Sequence, residues 1–364
     1  MNIELVTMII FFSIVGILLY LKRKKIDFHS GLVIIRWKRG LQLIDKITKN
    51  HEKAFKIAGY FVIGIGFLGG LVGLWGIAVT IINMNPGGLG LVLPTAGGYE
   101  YPGPIIGVPF WYWLVAIFII MFSHETMHAI FARAAGVPLK NYGVILLLVL
   151  PFGAFVDPDN KKVKKMKTSR KLSFFAAGSF ANFLVATFLI ALILVFNGFF
   201  IKENVVIYNT SEGYPAHDAN LTGILKSVNG VDVNTGDDFS RILNNTAPGT
   251  NIQIITDTGS YNITTVKRPD DQTGSYIGVY SFTTRSVTNN VLGRLFAWLI
   301  ILNIGIGIAN LLPWKPFDGG LMAEEVLTRI SKRNGKLLSN ILTWIMLAAV
   351  LFALFGIRII GAIS

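Results

Sequence analysis

Within the run Ser123-His124-Glu125-Thr126-Met127-His128, two imidazoles and a carboxylate fall inside little more than one helical turn. A four-residue interval returns His124 and His128 to the same face of a helix. Two neutral imidazoles so placed can chelate one zinc ion. Glu125 then stands where it can take a proton from water at the metal. Glu125 is also the only acid well inside any of the long apolar stretches of this chain. An ionisable residue there is costly and marks a functional site by default. With five histidines in 364 residues, a chance H-E-x-x-H is expected on the order of once in several hundred such chains. The structural alternative is a pair of polar helix positions satisfied by a neighbour.

A catalytic zinc usually has three protein ligands and an open fourth position. The residues after His128, Ala129-Ile130-Phe131-Ala132-Arg133-Ala134-Ala135-Gly136, supply no ligand, and His29, His51 and His217 fall in loops. The chain has no cysteine, which excludes thiolate sites and disulfides. The third ligand must therefore come from far along the sequence. The candidate is Asp318, in Asn310-Leu311-Leu312-Pro313-Trp314-Lys315-Pro316-Phe317-Asp318-Gly319-Gly320. Its two preceding prolines break a helix and let the backbone turn back. A Pro-rich loop with an Asp-Gly bend and no ligand fits the same residues on spacing alone.

These residues have to be positioned by membrane helices. Apolar residues make up 52% of the chain and charged residues 15%, against roughly 25% charged in soluble proteins. The mean hydropathy is +0.58. Six stretches are long enough to cross a bilayer: 5–21, 57–84, 107–135, 172–200, 291–312 and 336–362. The first begins without a basic n-region and lacks a small-residue cleavage site, so it reads as a retained anchor rather than a signal peptide. The net charge of +13 is unevenly placed. Segment 22–56 holds eleven Lys or Arg against three acids, 157–171 is strongly basic and 313–336 is basic again. Segment 85–106 has no base, and 201–290 carries nine acids against six bases. One topology fits every loop, with basic segments in the cytoplasm and both termini and 201–290 outside it. The charge thus reflects membrane orientation and excludes nucleic acid as a partner. In this topology the third and fifth spans both run inward, so His124 and Asp318 reach a similar depth, toward the cytoplasmic side.

Residues 142–155 (YGVILLLVLPFGAF) are strongly apolar but too short to span, with Pro151 and Gly153 inside them. They read as a re-entrant hairpin or partly inserted strand pair, tolerable where protein covers the backbone. Residues 201–290 turn polar, and alternating runs such as Asn251-Ile252-Gln253-Ile254-Ile255 read as strands. Four N-x-[ST] triplets, at Asn209, Asn220, Asn244 and Asn262, agree with an outside location. The expected fold is a mainly α-helical polytopic membrane protein of about six transmembrane helices plus a short re-entrant segment, with one small extramembranous domain. Its parts are 1–106 (two helices and a basic cytoplasmic loop), 107–200 (first half of a catalytic core), 201–290 (the extracytoplasmic domain) and 291–364 (second half of the core).

The insert resembles a PDZ domain, so that the small domain would be α+β. Gly213-Tyr214-Pro215-Ala216 stands for a carboxylate-binding loop, Ala219-Asn220-Leu221 follows it, and Ile224-Leu225-Lys226-Ser227-Val228-Asn229-Gly230 reads as a strand and turn. Phe239, Leu243 and Pro248-Gly249 continue the pattern. Such domains capture extended peptides by adding a strand to a sheet edge. A small β-rich spacer is the alternative.

Taken together, His124-Glu125-x-x-His128, the G-x-x-x-N of Gly178-Ser179-Phe180-Ala181-Asn182, and Asn310-x-x-Pro313 followed by Asp318-Gly319 resemble the site-2 protease family of intramembrane zinc metalloproteases. The likeness covers the third to sixth spans and leaves the first two outside the common core. It implies one zinc per chain on His124, His128 and Asp318, with Glu125 as general base. It implies that Asn182 donates to a developing oxyanion or holds a substrate strand, with Asn310 a second candidate; helix–helix hydrogen bonding is the alternative for each. Gly178 would allow close helix approach. The implied substrates are transmembrane proteins, locally unwound within the bilayer and trimmed beforehand by another protease. The length of 142–155, with its Pro151 and Gly153, suggests a strand edge to which the unwound segment would pair. A transporter or metal channel lined by the same four residues, and a non-catalytic scaffold, are the readings from other classes. No internal repeat of the kind transporters show is visible.

Overall fold

The computed structural model describes residues 3–23, 26–29, 31–96, 99, 101–196, 203–269, 274–287 and 291–363. In chain order these form α1 (Ile3–Leu21), β1 (Asp27–His29), β2 (Leu32–Trp37), α2 (Leu41–Lys49), α3 (Glu52–Ile82), β3 (Leu91–Thr95), β4 (Ile105–Pro109), α4 (Phe110–Ala134), β5 (Leu139–Leu147), β6 (Leu150–Pro158), α5 (Asn160–Lys164) and α6 (Thr168–Val195). A β-rich segment follows, with β7 (Glu203–Thr210), α7 (Pro215–Asp218), β8 (Leu225–Val228), β9 (Val231–Asp232), α8 (Gly236–Asn244), β10 (Asn251–Thr256), β11 (Ser260–Thr264), β12 (Val266–Lys267), β13 (Ser275–Tyr276) and β14 (Val279–Val287). The chain ends with α9 (Val291–Leu311), α10 (Asp318–Ile330), α11 (Gly335–Leu351), a π-turn (Phe352–Gly356) and α12 (Ile357–Ile363). It divides into two compact units, Met1–Ala191 with Leu295–Ser364, and Leu192–Arg294.

Among the described residues, six helices are long and apolar enough to cross a membrane: Glu4–Leu21, Glu52–Ile82, Phe110–Ala134, Thr168–Val195, Val291–Leu311 and Gly335–Gly361. They match the six apolar stretches within a few residues. The fourth begins and ends earlier than hydropathy suggests, and 197–200 lie outside the described residues.

Segment 142–155 is a strand hairpin. Leu147 pairs with Leu150 across the Leu148-Val149 turn, and Leu148 takes φ 57° there. The hairpin is half of a four-stranded antiparallel sheet ordered β1-β2-β5-β6, leaving β6 at one edge. The basic segment between the first two spans holds β1, β2 and α2: its charges flank a short apolar run, Leu32–Ile35, that pairs with β5. The sheet docks on α4 through Tyr142 of β5, and α2 docks beside it through Ile44; both pack with Ala129. Trp37 stacks on Tyr142 at 6.0 Å between ring centres, and Arg133 of α4 pairs with Asp45 of α2.

The second span is not peripheral. A Cβ on Gly66 of α3 would stand 2.7 Å from the Cβ of Ala176 on α6, and one on Gly69 would stand 2.6 Å from Leu311 of α9. Small residues let these helices approach closely, as membrane helices without a strong hydrophobic drive require. The prolines after α9 stop it at Leu311, but the chain then re-enters a helix, α10, with Asp318 as its first residue and Phe317 at the N-cap. Asp318-Gly319, which as an alternative could have formed a simple loop bend, starts a helix. Gly319 and Gly320 are needed because a Cβ on either would overlap the backbone of Leu311 or Trp314.

The second unit has its own core. Its main sheet runs β11-β10-β8-β7-β14, with every adjacent pair antiparallel. The alternation in Asn251–Thr256 is realised: Ile252, Ile254 and Thr256 are buried while their neighbours are exposed. α8 begins with a capping box, Thr235 and Asp238 satisfying each other's backbone amides. It buries Phe239 and Leu243 against the sheet.

Candidate metal centre

α4 presents His124 and His128 one turn apart, their Nε2 atoms 3.1 Å from each other. Oδ2 of Asp318, at the start of α10, lies 3.2 Å from Nε2 of His124 and 3.3 Å from Nε2 of His128. The three sequence-predicted ligands thus meet, and their ligand atoms form a nearly equilateral triangle. Three corners of a tetrahedron with bonds of roughly 2.0–2.1 Å stand about 3.3 Å apart, so zinc fits this triangle and leaves one corner open. All three side chains are largely buried. Oδ2 of Asp318 is buried without a well-directed hydrogen bond, which suits a carboxylate oxygen placed for a cation.

α6 supports both imidazoles through residues at intervals of four. The Phe174 carbonyl stands 2.7 Å from Nδ1 of His128, so Nδ1 carries the proton and Nε2 keeps its lone pair. The Asn182 side-chain amide lies 3.3 Å from Nδ1 of His124, with Oδ1 of Asn182 buried and unpartnered. With its two amide atoms exchanged, Asn182 accepts at Oδ1 from Nδ1–H of His124, which leaves Nε2 of His124 its lone pair. Between them, a Cβ on Gly178 would overlap Nε2 of both histidines. The glycine therefore makes room for the ligands themselves, a tighter demand than helix approach.

Glu125 faces a cavity of about 320 Å³ that it shares with both histidines, Asp318 and Asn310. Its Oε2 accepts a 2.8 Å hydrogen bond from the Val156 amide on β6. Ala154 and Val156 of that strand also line the cavity. Because the Val156 amide turns away from β5, the alternate amides and carbonyls of β6 lie on the unpaired side of the sheet. Tyr142 is braced between Trp37 and α4, and burial pushes its phenol above its ordinary value. The two asparagines separate. Asn310 lines the cavity, whereas Asn182 is fully buried behind His124. Sequence reasoning missed Phe174, which acts through its carbonyl, and Val156, which acts through its amide. Backbone groups leave no residue-type signal.

In the second unit, the segment Gly213-Tyr214-Pro215-Ala216 is braced rather than open. The Ala216 amide is donated to the Ile277 carbonyl at 2.9 Å, Pro215 has no amide, and Tyr214 packs on Gly278 and Tyr276. The edge of the main sheet nearest α8 is β14.

Residues 112–354 match the model of peptidase family M50. The chain is also 27% identical over 340 residues to an uncharacterised protein of Methanocaldococcus jannaschii, covering 90% of this chain and 87% of that one.

Proposed function

This chain belongs to peptidase family M50, and on that footing we propose that it is an intramembrane zinc metalloprotease of the site-2 type, hydrolysing peptide bonds in or near the transmembrane segments of membrane-anchored substrates. One observation carries the proposal: three ligand atoms 3.1–3.3 Å apart, with Glu125 on the same cavity.

His124, His128 and Asp318 would hold zinc, which when bound supplies Lewis acidity that activates water and polarises the scissile carbonyl. Glu125 takes the proton of the attacking water and delivers it to the leaving amine. The Val156 amide holds the Glu125 carboxylate in place for both transfers. Asn310, which lines the cavity, is the oxyanion donor. Asn182 and the Phe174 carbonyl orient the imidazoles.

A helical peptide bond hides its carbonyl, so the substrate must unwind where it meets the site. The unpaired edge of β6 offers the complementary backbone groups, and an extended substrate strand added there would pass along Ala154 and Val156 beside Glu125. The second unit acts as a PDZ-like module that binds or excludes the extracytoplasmic parts of substrates, making cleavage follow an earlier trimming. In the membrane both termini and 201–290 lie outside the cytoplasm, and the metal centre lies toward the cytoplasmic side. A transmembrane substrate reconstituted with the protein in vesicles tests the proposal. Chelation should abolish cleavage and one equivalent of zinc should restore it. Full cleavage by metal-free protein would contradict it.

A further inference from the structure

A second cavity, of about 240 Å³, opens at the end of the bundle where α3 and α6 begin and α4 ends. Lys56 of α3, with Lys167 and Arg170 at the start of α6, forms its cationic rim, while Phe55, Ile63 and Phe131 give it an apolar wall. Neither lysine ammonium has a hydrogen-bond or ion-pair partner among the described residues. Neighbouring cations differ: Lys171 is taken by Glu325 at 2.9 Å, and Arg133 by Asp45. Arg170 donates Nη1 to the Ala134 carbonyl at 2.7 Å, which fixes the guanidinium at the cavity and leaves further N–H donors. Ser169, in the first turn of the 28-residue α6, also lines the cavity. Arg170 and Lys171 donate their amides to the Lys167 carbonyl at 2.9 and 3.0 Å, and the Thr168 hydroxyl is held by Glu325. The Ser169 amide is thus the first-turn donor left toward the cavity, at the end of the helix that favours an anion.

Two unpaired ammonium groups, a pinned guanidinium and a helix start thus converge beside an apolar wall. They do so at one end of three helices long and apolar enough to cross a membrane. Free phosphate would use the cations but not the wall. A phospholipid uses both, placing its phosphate among the cations and its glycerol and upper acyl chain along Phe55 and the outward-facing Tyr60. Basic pockets between membrane helices hold such headgroups. We propose that this cavity binds the phosphate headgroup of an anionic phospholipid. The proposal stands independently of what the metal centre hydrolyses.

The test uses the full chain, delipidated in neutral detergent, titrated with phosphatidylglycerol or chain-matched phosphatidylcholine and read by native mass spectrometry. Phosphatidylglycerol should bind more tightly. The double variant Lys56→Gln/Lys167→Gln should weaken it by roughly tenfold to thirtyfold, from about one surface-charge contribution per lysine. Both lysines are exposed, and Arg170 is left intact because it caps Ala134. Lys161→Gln/Lys165→Gln removes the same charge from the neighbouring α5 region and should change affinity by less than about threefold, since its side chains lie outside the cavity. Melting curves of both doubles check folding. Equal losses in the two doubles would show diffuse surface charge and overturn the site. So would equal binding of the two lipids, or displacement of phosphatidylglycerol by an equal concentration of inorganic phosphate.

Discussion

Gly178 of α6 lies against the imidazole of His128 so closely that no methyl group fits between its Cα and Nε2. The same atom of His124 closes the other side. Gly178→Ala should therefore displace both ligands and lower zinc affinity by about ten- to a hundredfold, the range seen when supports of metal ligands are disturbed. Chelator competition measures this. Ala177→Gly, a change of the same size one residue away, should leave zinc affinity near that of the unaltered chain.

The two asparagines should part in their effects. Asn182 touches His124, so Asn182→Leu should weaken zinc binding, whereas Asn182→Asp keeps an acceptor for Nδ1–H and should restore most of it. Asn310→Ala should leave zinc in place and lower kcat by about two to three orders of magnitude, as loss of one oxyanion donor does. Zinc content and turnover, measured on the same preparations, distinguish the roles. A fall in turnover without metal loss in Asn182→Leu would reverse the assignment.

Asp318 supplies the third corner of the ligand triangle from α10. Asp318→Ala should empty the site as thoroughly as His128→Ala, by metal analysis of purified protein. Full occupancy in that variant would mean that another group closes the coordination.

Residues 201–290 should be open to protease added to right-side-out vesicles, while the basic segment 157–171 should be protected. Phe239→Ala, which removes a ring with 1% exposure from the core of that unit, should cost it about 3–5 kcal/mol. Zinc content should be unchanged, since every ligand belongs to the other unit.

The convergent group of His124, His128 and Asp318 was legible in sequence because metal-ligating chemistry resides in side-chain type and spacing: His124 and His128 share a helix face, and Asp318 follows a helix-breaking pair of prolines. The spans were legible because roughly twenty apolar residues have few other uses. β1 and β2 were hidden because Leu32–Ile35 is a short apolar run between dense positive charges, and charge dominated the segment. The helix starting at Asp318 was hidden because Asp-Gly-Gly is also turn chemistry. Only the packing of Gly319 on Leu311 reveals why glycine is required. Gly178 was read as a helix-contact residue because nothing in a sequence says that two imidazoles, rather than a helix, occupy the space above it.

Zinc occupancy cannot by itself distinguish a protease from a metal-stabilised scaffold, since both would use the same three ligands. Glu125 distinguishes them, because only hydrolysis needs a base on the open side of the site. Glu125→Gln keeps the side chain's shape and can still accept the Val156 amide hydrogen bond, but it cannot carry a proton. The decisive measurement is the cleavage rate of a reconstituted transmembrane substrate by this variant, with zinc content determined on the same sample. Zinc should stay at one per chain while the rate falls by about two to four orders of magnitude. A near-normal rate with zinc in place would contradict the assignment of Glu125 as the base.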